Sequence, residues 1–238
     1  MEISERVLRR MVADIDDQHR AAMDTFTEDN RALIFESRPS RRKFLTGLGL
    51  GSAAVVIGSA ALPMGRLTPR AWAQTAPSDS DIATFAASVE YAAVAAYQAA
   101  AQSGKVKTKA VLDAATLFAG QHQEHGDAFK AAGTNPNITA NKALLDMVTP
   151  QLTAAKTEND VIALAYGLEN AAAATYISAL GVLTTEGAYN AVASVMPVEA
   201  QHAIALGLVL GKPLDEKGFM PSFETTDGAL DPAKFPAA

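Results

Sequence analysis

The chain has 238 residues, no Cys and a formal net charge of −6. The length suits one domain with extensions, and the lack of Cys excludes disulfides, thiolate metal sites and thiol catalysis. Every Arg lies at or before Arg70, so residues 74–238, with 9 Lys against 17 Asp and Glu, lack the clustered positive charge that nucleic acid or an anionic membrane surface requires.

Residues 1–39 are charged and helix-prone. Ile3, Val7, Met11 and Ile15 recur every four residues, which predicts an amphipathic helix. The segment reads as a short cytoplasmic helix that docks on a partner or, more simply, as an over-long leader with Met23 as an alternative start. His19, set among charges, is expected in solvent.

Residues 40–73 open on Ser40-Arg41-Arg42-Lys43-Phe44-Leu45. An uncharged run over 44–65 follows, and then Ala71-Trp72-Ala73. Twin arginine, a moderately apolar core and an A-x-A site in that order resemble a twin-arginine export signal. The resemblance implies the twin-arginine export machinery as a partner and cleavage after Ala73. It also implies a destination outside the cytoplasm: periplasm, cell wall or medium. The run is long enough to span a membrane, so an uncleaved signal would act as an anchor. Export by this route carries folded proteins, which suits a domain that takes up metal in the cytoplasm.

Residues 74–211 predict helices and no strands. Ser78 or Ser80 is the expected N-cap of the first, with Asp81 in its first turn, and Ser103-Gly104 closes it after Gln102. A second helix is predicted over 108–132 and a shorter one over 139–156, interrupted at Pro150. Two more long helices follow over 159–184 and 186–210, the last kinked or broken at Pro197. Four helices of roughly 25 residues would each be about 38 Å long, which is bundle length. Residues 212–238 are rich in Pro and irregular, with Phe219, Phe223 and Phe235 expected to pin them to the bundle.

The chemistry lies in the long helices. Glu199 and His202 stand three apart on one helix face, so a carboxylate and an imidazole project together. That is a recurring way to offer oxygen and nitrogen to one metal ion. The rest forms a repeat: Glu90 is followed two turns later by Tyr97, and Glu169 two turns later by Tyr176. The helix after Glu90 carries His122 and His125; the helix after Glu169 carries Glu199 and His202. All three His of residues 74–238 therefore fall at ligand spacing in matching places of a duplicated unit. No Lys or Arg shares these faces, which leaves metal or protons as the counter-charge for three carboxylates.

With these residues the sequence resembles the ferritin-like superfamily over about residues 80–210, in particular exported ferritin-like domains related to desiccation-related proteins. The resemblance implies an all-α, four-helix bundle with one long crossover connection. It implies a di-iron or di-manganese centre between the helices. Glu90 and Glu169 match the single-Glu helices, Glu199 and His202 match one Glu-x-x-His, and His125 matches the His of the other. Tyr97 and Tyr176 match tyrosines that orient the carboxylates or supply an electron. Iron oxidation, or reduction of O₂ or peroxide, is the activity implied, and a homodimer is one assembly that the family allows.

One position departs from the family pattern: His122 stands where a fourth Glu is expected. Hard ferric ions favour oxygen ligands, so an asymmetric site is expected, with metal bound first beside Glu199 and His202; a single, mononuclear metal or a divalent ion such as Mn or Zn is the alternative occupant. His122 reads as a ligand or as a partner of ligands. The alternative is a non-enzymatic stress or desiccation-type protein in which the cluster is a vestigial, hydrogen-bonded polar core.

Overall fold

A computed structural model describes residues 3–24, 77–212, 226 and 228–237. The residues of the twin-arginine pattern, together with Phe219 and Phe223, lie outside them. The described residues form α1 (Glu5–Met23), α2 (Asp79–Gln102), α3 (Lys109–Ala132), α4 (Lys142–Ala154), α5 (Glu158–Leu180) and α6 (Glu186–Val209), with no strand among them.

Helix boundaries follow from local chemistry. Ser78 caps α2, and Asp81 returns a bond to the Ser78 backbone; Thr157 and Asp160 do the same for α5. Each capping box satisfies donors that a helix start leaves orphaned. Gly104 and Gly211, with φ of 69° and 68°, turn the chain just beyond α2 and α6 in a conformation that favours glycine. The buried carboxylate of Asp79 accepts from the backbone of Thr184 at 2.9 Å and of Thr185 at 2.8 Å. It thereby fastens the start of α2 to the turn between α5 and α6.

Neither proline ends its helix. α4 continues through Pro150, against the expected interruption, and α6 continues through Pro197 without the break that was one of the two expectations there. A proline removes one backbone donor, but Val148 and Leu152 flank Pro150 in the core, and Val195 and Val198 flank Pro197. The burial of those neighbours keeps both helices in place.

α2 packs along α3 and α5 along α6, as two hairpins. The long connection over 133–157 carries α4 across α2 and α5 and joins the hairpins. Among the described residues the fold is thus an all-α bundle with one long crossover. At Gly126 a Cβ would stand 2.7 Å from Cε1 of Tyr91 and 3.3 Å from Cβ of Glu90, so α3 approaches α2 this closely only because no side chain is there. Two apolar clusters fill the bundle. One contains Ile82, Phe129, Val195 and Tyr176; the other contains Phe118, Ile162, Leu206 and Tyr97. In the tail, Leu230 is buried and Phe235 packs on the first cluster.

α1 lies across α3 and α6. Its buried line is Leu8, Ile15 and His19, whereas Val7 is 46% exposed. The expectation that His19 is solvated is therefore wrong: it is 1% exposed. Leu8 and Ile15 are two turns apart and His19 is one turn further on, so docking through the two apolar side chains carries the imidazole into the groove with them.

Candidate metal centre

Glu90 on α2, His122 and His125 on α3, Glu169 on α5, and Glu199 and His202 on α6 are all buried and meet inside the bundle. Their ligand atoms form two sets, each with all members within 4.8 Å of one another: Glu90, His122, His125, Glu199; and His122, Glu169, Glu199, His202. Glu199 and His122 belong to both.

His122 holds the centre of the cluster. Its Nδ1 is 2.6 Å from Oε2 of Glu90 and its Nε2 is 3.1 Å from Oε1 of Glu169. Burial opposes a charge on this ring, but the carboxylates of Glu199, Glu169 and Glu90 hold its pKa well above the ordinary value. His125 stands with Nδ1 2.9 Å from Oε1 of Glu199 and 3.7 Å from Oε2 of Glu90. Against its burial, those two carboxylates raise it to about 9. Burial pushes the Glu90 carboxyl up, yet the neighbouring His122 and His125 hold it down at about 2. The same contest, with His122 and His202 as the cations, leaves Glu169 well below its ordinary value. The neighbouring imidazoles therefore favour the ionised forms of Glu90 and Glu169, and those carboxylates favour protons on the imidazoles.

The tyrosines cross between the hairpins. Tyr97, on the helix of Glu90, donates to Oε1 of Glu169; Tyr176, on the helix of Glu169, donates to Oε1 of Glu90. Both phenols are buried, and burial together with those carboxylates pushes their pKa values up. They are neutral donors that fix Oε1 of each of the two carboxylates.

Three residues escaped the sequence reading. Oε1 of Gln121 is 2.7 Å from Nε2 of His202, which leaves Nδ1 of that ring turned towards Glu169 and Glu199 at 3.4 and 3.5 Å. Gln121 lies one turn before His125, a spacing that was available as a signal. His19 faces His125, with ring centroids 5.0 Å apart, and burial lowers its pKa to about 4. Asp16 accepts from Gln121 at 3.4 Å. Neither α1 residue has a signal in its own spacing, because both depend on where α1 docks.

The donor set fits a metal. Nδ1 of His125, Nδ1 of His202, Oε2 of Glu169 and both oxygens of Glu199 are fully buried without an aligned hydrogen bond, although each faces its neighbours at close range. Buried polar atoms are normally satisfied, and five that converge on shared space are placed as oxygen and nitrogen ligands would be. One side of the cluster opens on an apolar crevice. Ala93, Ala96, Leu164 and Leu168 line it, and it reaches His122 and Glu169.

A family model for the ferritin-like domain matches residues 78–212, which span α2 to α6 and all six candidate ligands. The chain belongs to the ferritin-like family. No match was found among curated proteins or among solved structures.

Proposed function

We propose that this chain is an exported ferritin-like protein that holds a dinuclear centre, iron before manganese or zinc, and oxidises ferrous iron with O₂ or peroxide. The observation that carries the proposal is the convergence of five buried ligand atoms without aligned hydrogen bonds. Glu90, His125 and Glu199 would hold one ion, Glu169, His202 and Glu199 the other, and His122 is shared. Bound iron supplies the electrons that O₂ or peroxide accepts. The protein's own part is to orient and exclude: Tyr97 and Tyr176 fix two carboxylates, Phe118 stacks on His202, and the apolar crevice admits a small uncharged oxidant while keeping bulk water out. The half with Glu169 and His202 fills first, because Gln121 already orients His202 and His122 ties up Glu90 more closely than Glu169. Export rests on the order of elements over residues 40–73.

The test is metal analysis of protein purified without chelator, followed by aerobic addition of ferrous iron with the absorbance recorded. Bound metal and oxidation above the buffer rate support the proposal. No bound metal and a rate equal to that of buffer overturn it.

One observation favours a second reading. His122 joins Glu90 to Glu169, so the core can close without metal, as a non-enzymatic stress-type binding or structural module would require. On that reading chelator leaves the melting temperature unchanged, whereas a ligand that binds only the native state raises it.

A further inference from the structure

The imidazoles of a metal centre work in pairs of bonds: one nitrogen faces the ion, and the other donates to an outer partner that fixes the ring's orientation and tautomer. In this bundle His202 has that partner within its own hairpin pair, since Gln121 accepts from its Nε2 at 2.7 Å. Gln121 is in turn held from outside. Its Nε2 donates to Oδ1 of Asp16 at 3.4 Å, and Asp16 is on α1. His125 is different. Its Nδ1 faces Glu90 and Glu199, while its Nε2 is buried and has no partner among the described residues. The ring that stands against it is His19, also on α1, whose own buried Nε2 makes no hydrogen bond and lies 3.9 Å from Oε2 of the exposed Glu124.

We propose that α1 is the outer wall of the metal centre, with His19 and Asp16 as positioning residues for the two histidine ligands His125 and His202. The proposal rests on the metal reading given above. A neutral imidazole carries one N–H and one lone pair. With the ring centroids 5.0 Å apart, a single N–H···N bond donated by Nε2 of His125 and accepted by Nε2 of His19 would satisfy both nitrogens and leave Nδ1 of His125 free for metal. Asp16 acts at one remove, by fixing the Gln121 amide so that its oxygen, not its nitrogen, meets His202.

The docking of α1 is specific enough for the task. Leu8 and Ile15 join the same apolar cluster as Phe118 and Val198. Arg9 donates to Asp113 on α3 at 2.7 Å, and Gln201 on α6 donates to Gln18. These contacts fix α1 in register along the groove between α3 and α6, so His19 and Asp16 arrive beside their partners together. The chain places this wall ahead of residues 40–73, the stretch that resembles an export signal. Cleavage after Ala73 would therefore separate the wall from the centre, and the intact chain is the form that binds metal tightly.

The experiment uses the full chain and cobalt(II) as probe, with affinity and the visible ligand-field spectrum as readouts. His19→Phe keeps the ring-shaped volume and removes the acceptor; His19→Gln restores a polar acceptor. The expected result is a 10- to 100-fold loss of cobalt affinity and an altered spectrum in His19→Phe, in line with the effect of losing an outer partner. Circular dichroism should be unchanged, and His19→Gln should recover most of the affinity. Wild-type binding matched by His19→Phe, with the same spectrum, overturns the proposal. Equal losses in both variants, tracking a fall in melting temperature, also overturn it, because packing alone would produce that. If the wild-type chain binds no cobalt, the metal reading itself fails, and the role of α1 fails with it.

Discussion

Tyr97 donates its hydroxyl to Glu169 on the opposite hairpin rather than to Glu90 on its own helix. Tyr176 makes the reciprocal bond to Glu90, so each hairpin supplies the clamp for the carboxylate of the other. Tyr176→Phe should cost more than Tyr97→Phe, because Oε1 of Glu169 keeps Nε2 of His122 at 3.1 Å while His122 meets the other oxygen of Glu90. Leaving a buried charged acceptor without its donor costs about 2 kcal/mol. Denaturant unfolding of chelator-treated protein measures this. A larger loss in Tyr97→Phe than in Tyr176→Phe would contradict it.

His122→Glu separates stability from metal capacity. In the metal-free protein the substitution removes the cation between Glu90 and Glu169 and adds a fourth carboxylate. Breaking a buried pair in this way costs about 3–5 kcal/mol. With metal present the fourth oxygen ligand should tighten the second ion. The expected pattern is a lower melting temperature after chelation and a higher iron stoichiometry when loaded, read by thermal melts and equilibrium dialysis.

The stability of the metal-free protein should fall towards both alkaline and acid pH. His125 is raised to about 9, so its contribution is complete below the ordinary imidazole value and is lost as pH rises through about 9. His19 is lowered to about 4, so protonation favours the unfolded chain and stability falls as pH drops from the ordinary value towards about 4. Glu90 is lowered to about 2, and its contribution disappears only as pH falls through that value. Metal replaces the proton on His125, so the loaded protein should have a flatter alkaline flank. Melting temperatures from pH 4 to pH 9, with and without chelator, test the signs.

Gly126→Ala tests the closeness of α2 and α3. The added methyl meets the Tyr91 ring and the Cβ of Glu90, and the ring is held by its bond to Asp127 at 2.8 Å. Overpacking of this kind costs about 1–3 kcal/mol. It should also move Glu90 and weaken the set containing His125 more than the set containing His202. Thermal melts and metal titration of the variant report the two effects.

The four long helices, several of their ends and the repeat that puts the three Glu and three His at matching places were legible because each depends on local spacing. The caps Thr157 and Thr185, and the end of α5 at Leu180 rather than Thr184, were not. Ser78 with Asp81 marks a start, Gly104 and Gly211 mark ends, and Glu199 with His202 share a face whatever surrounds them. The crossing of the tyrosines was not legible. Seven-residue spacing puts Tyr97 on the face of Glu90, but which hairpin its hydroxyl meets depends on the distance across the bundle. His122 stood out only as a departure from a pattern, and its place between Glu90 and Glu169 is a tertiary fact. The docking of α1 was hidden because its buried line ends in a histidine, which a hydrophobic pattern does not count.

Glu199 belongs to both ligand sets, so anaerobic ferrous titration of the full chain and of Glu199→Ala decides whether the bundle holds a dinuclear centre. The wild-type chain should bind two ions saturably, the first tighter than the second, and the variant should lose both. No saturable binding by the wild-type chain, or undiminished binding by Glu199→Ala, would contradict it.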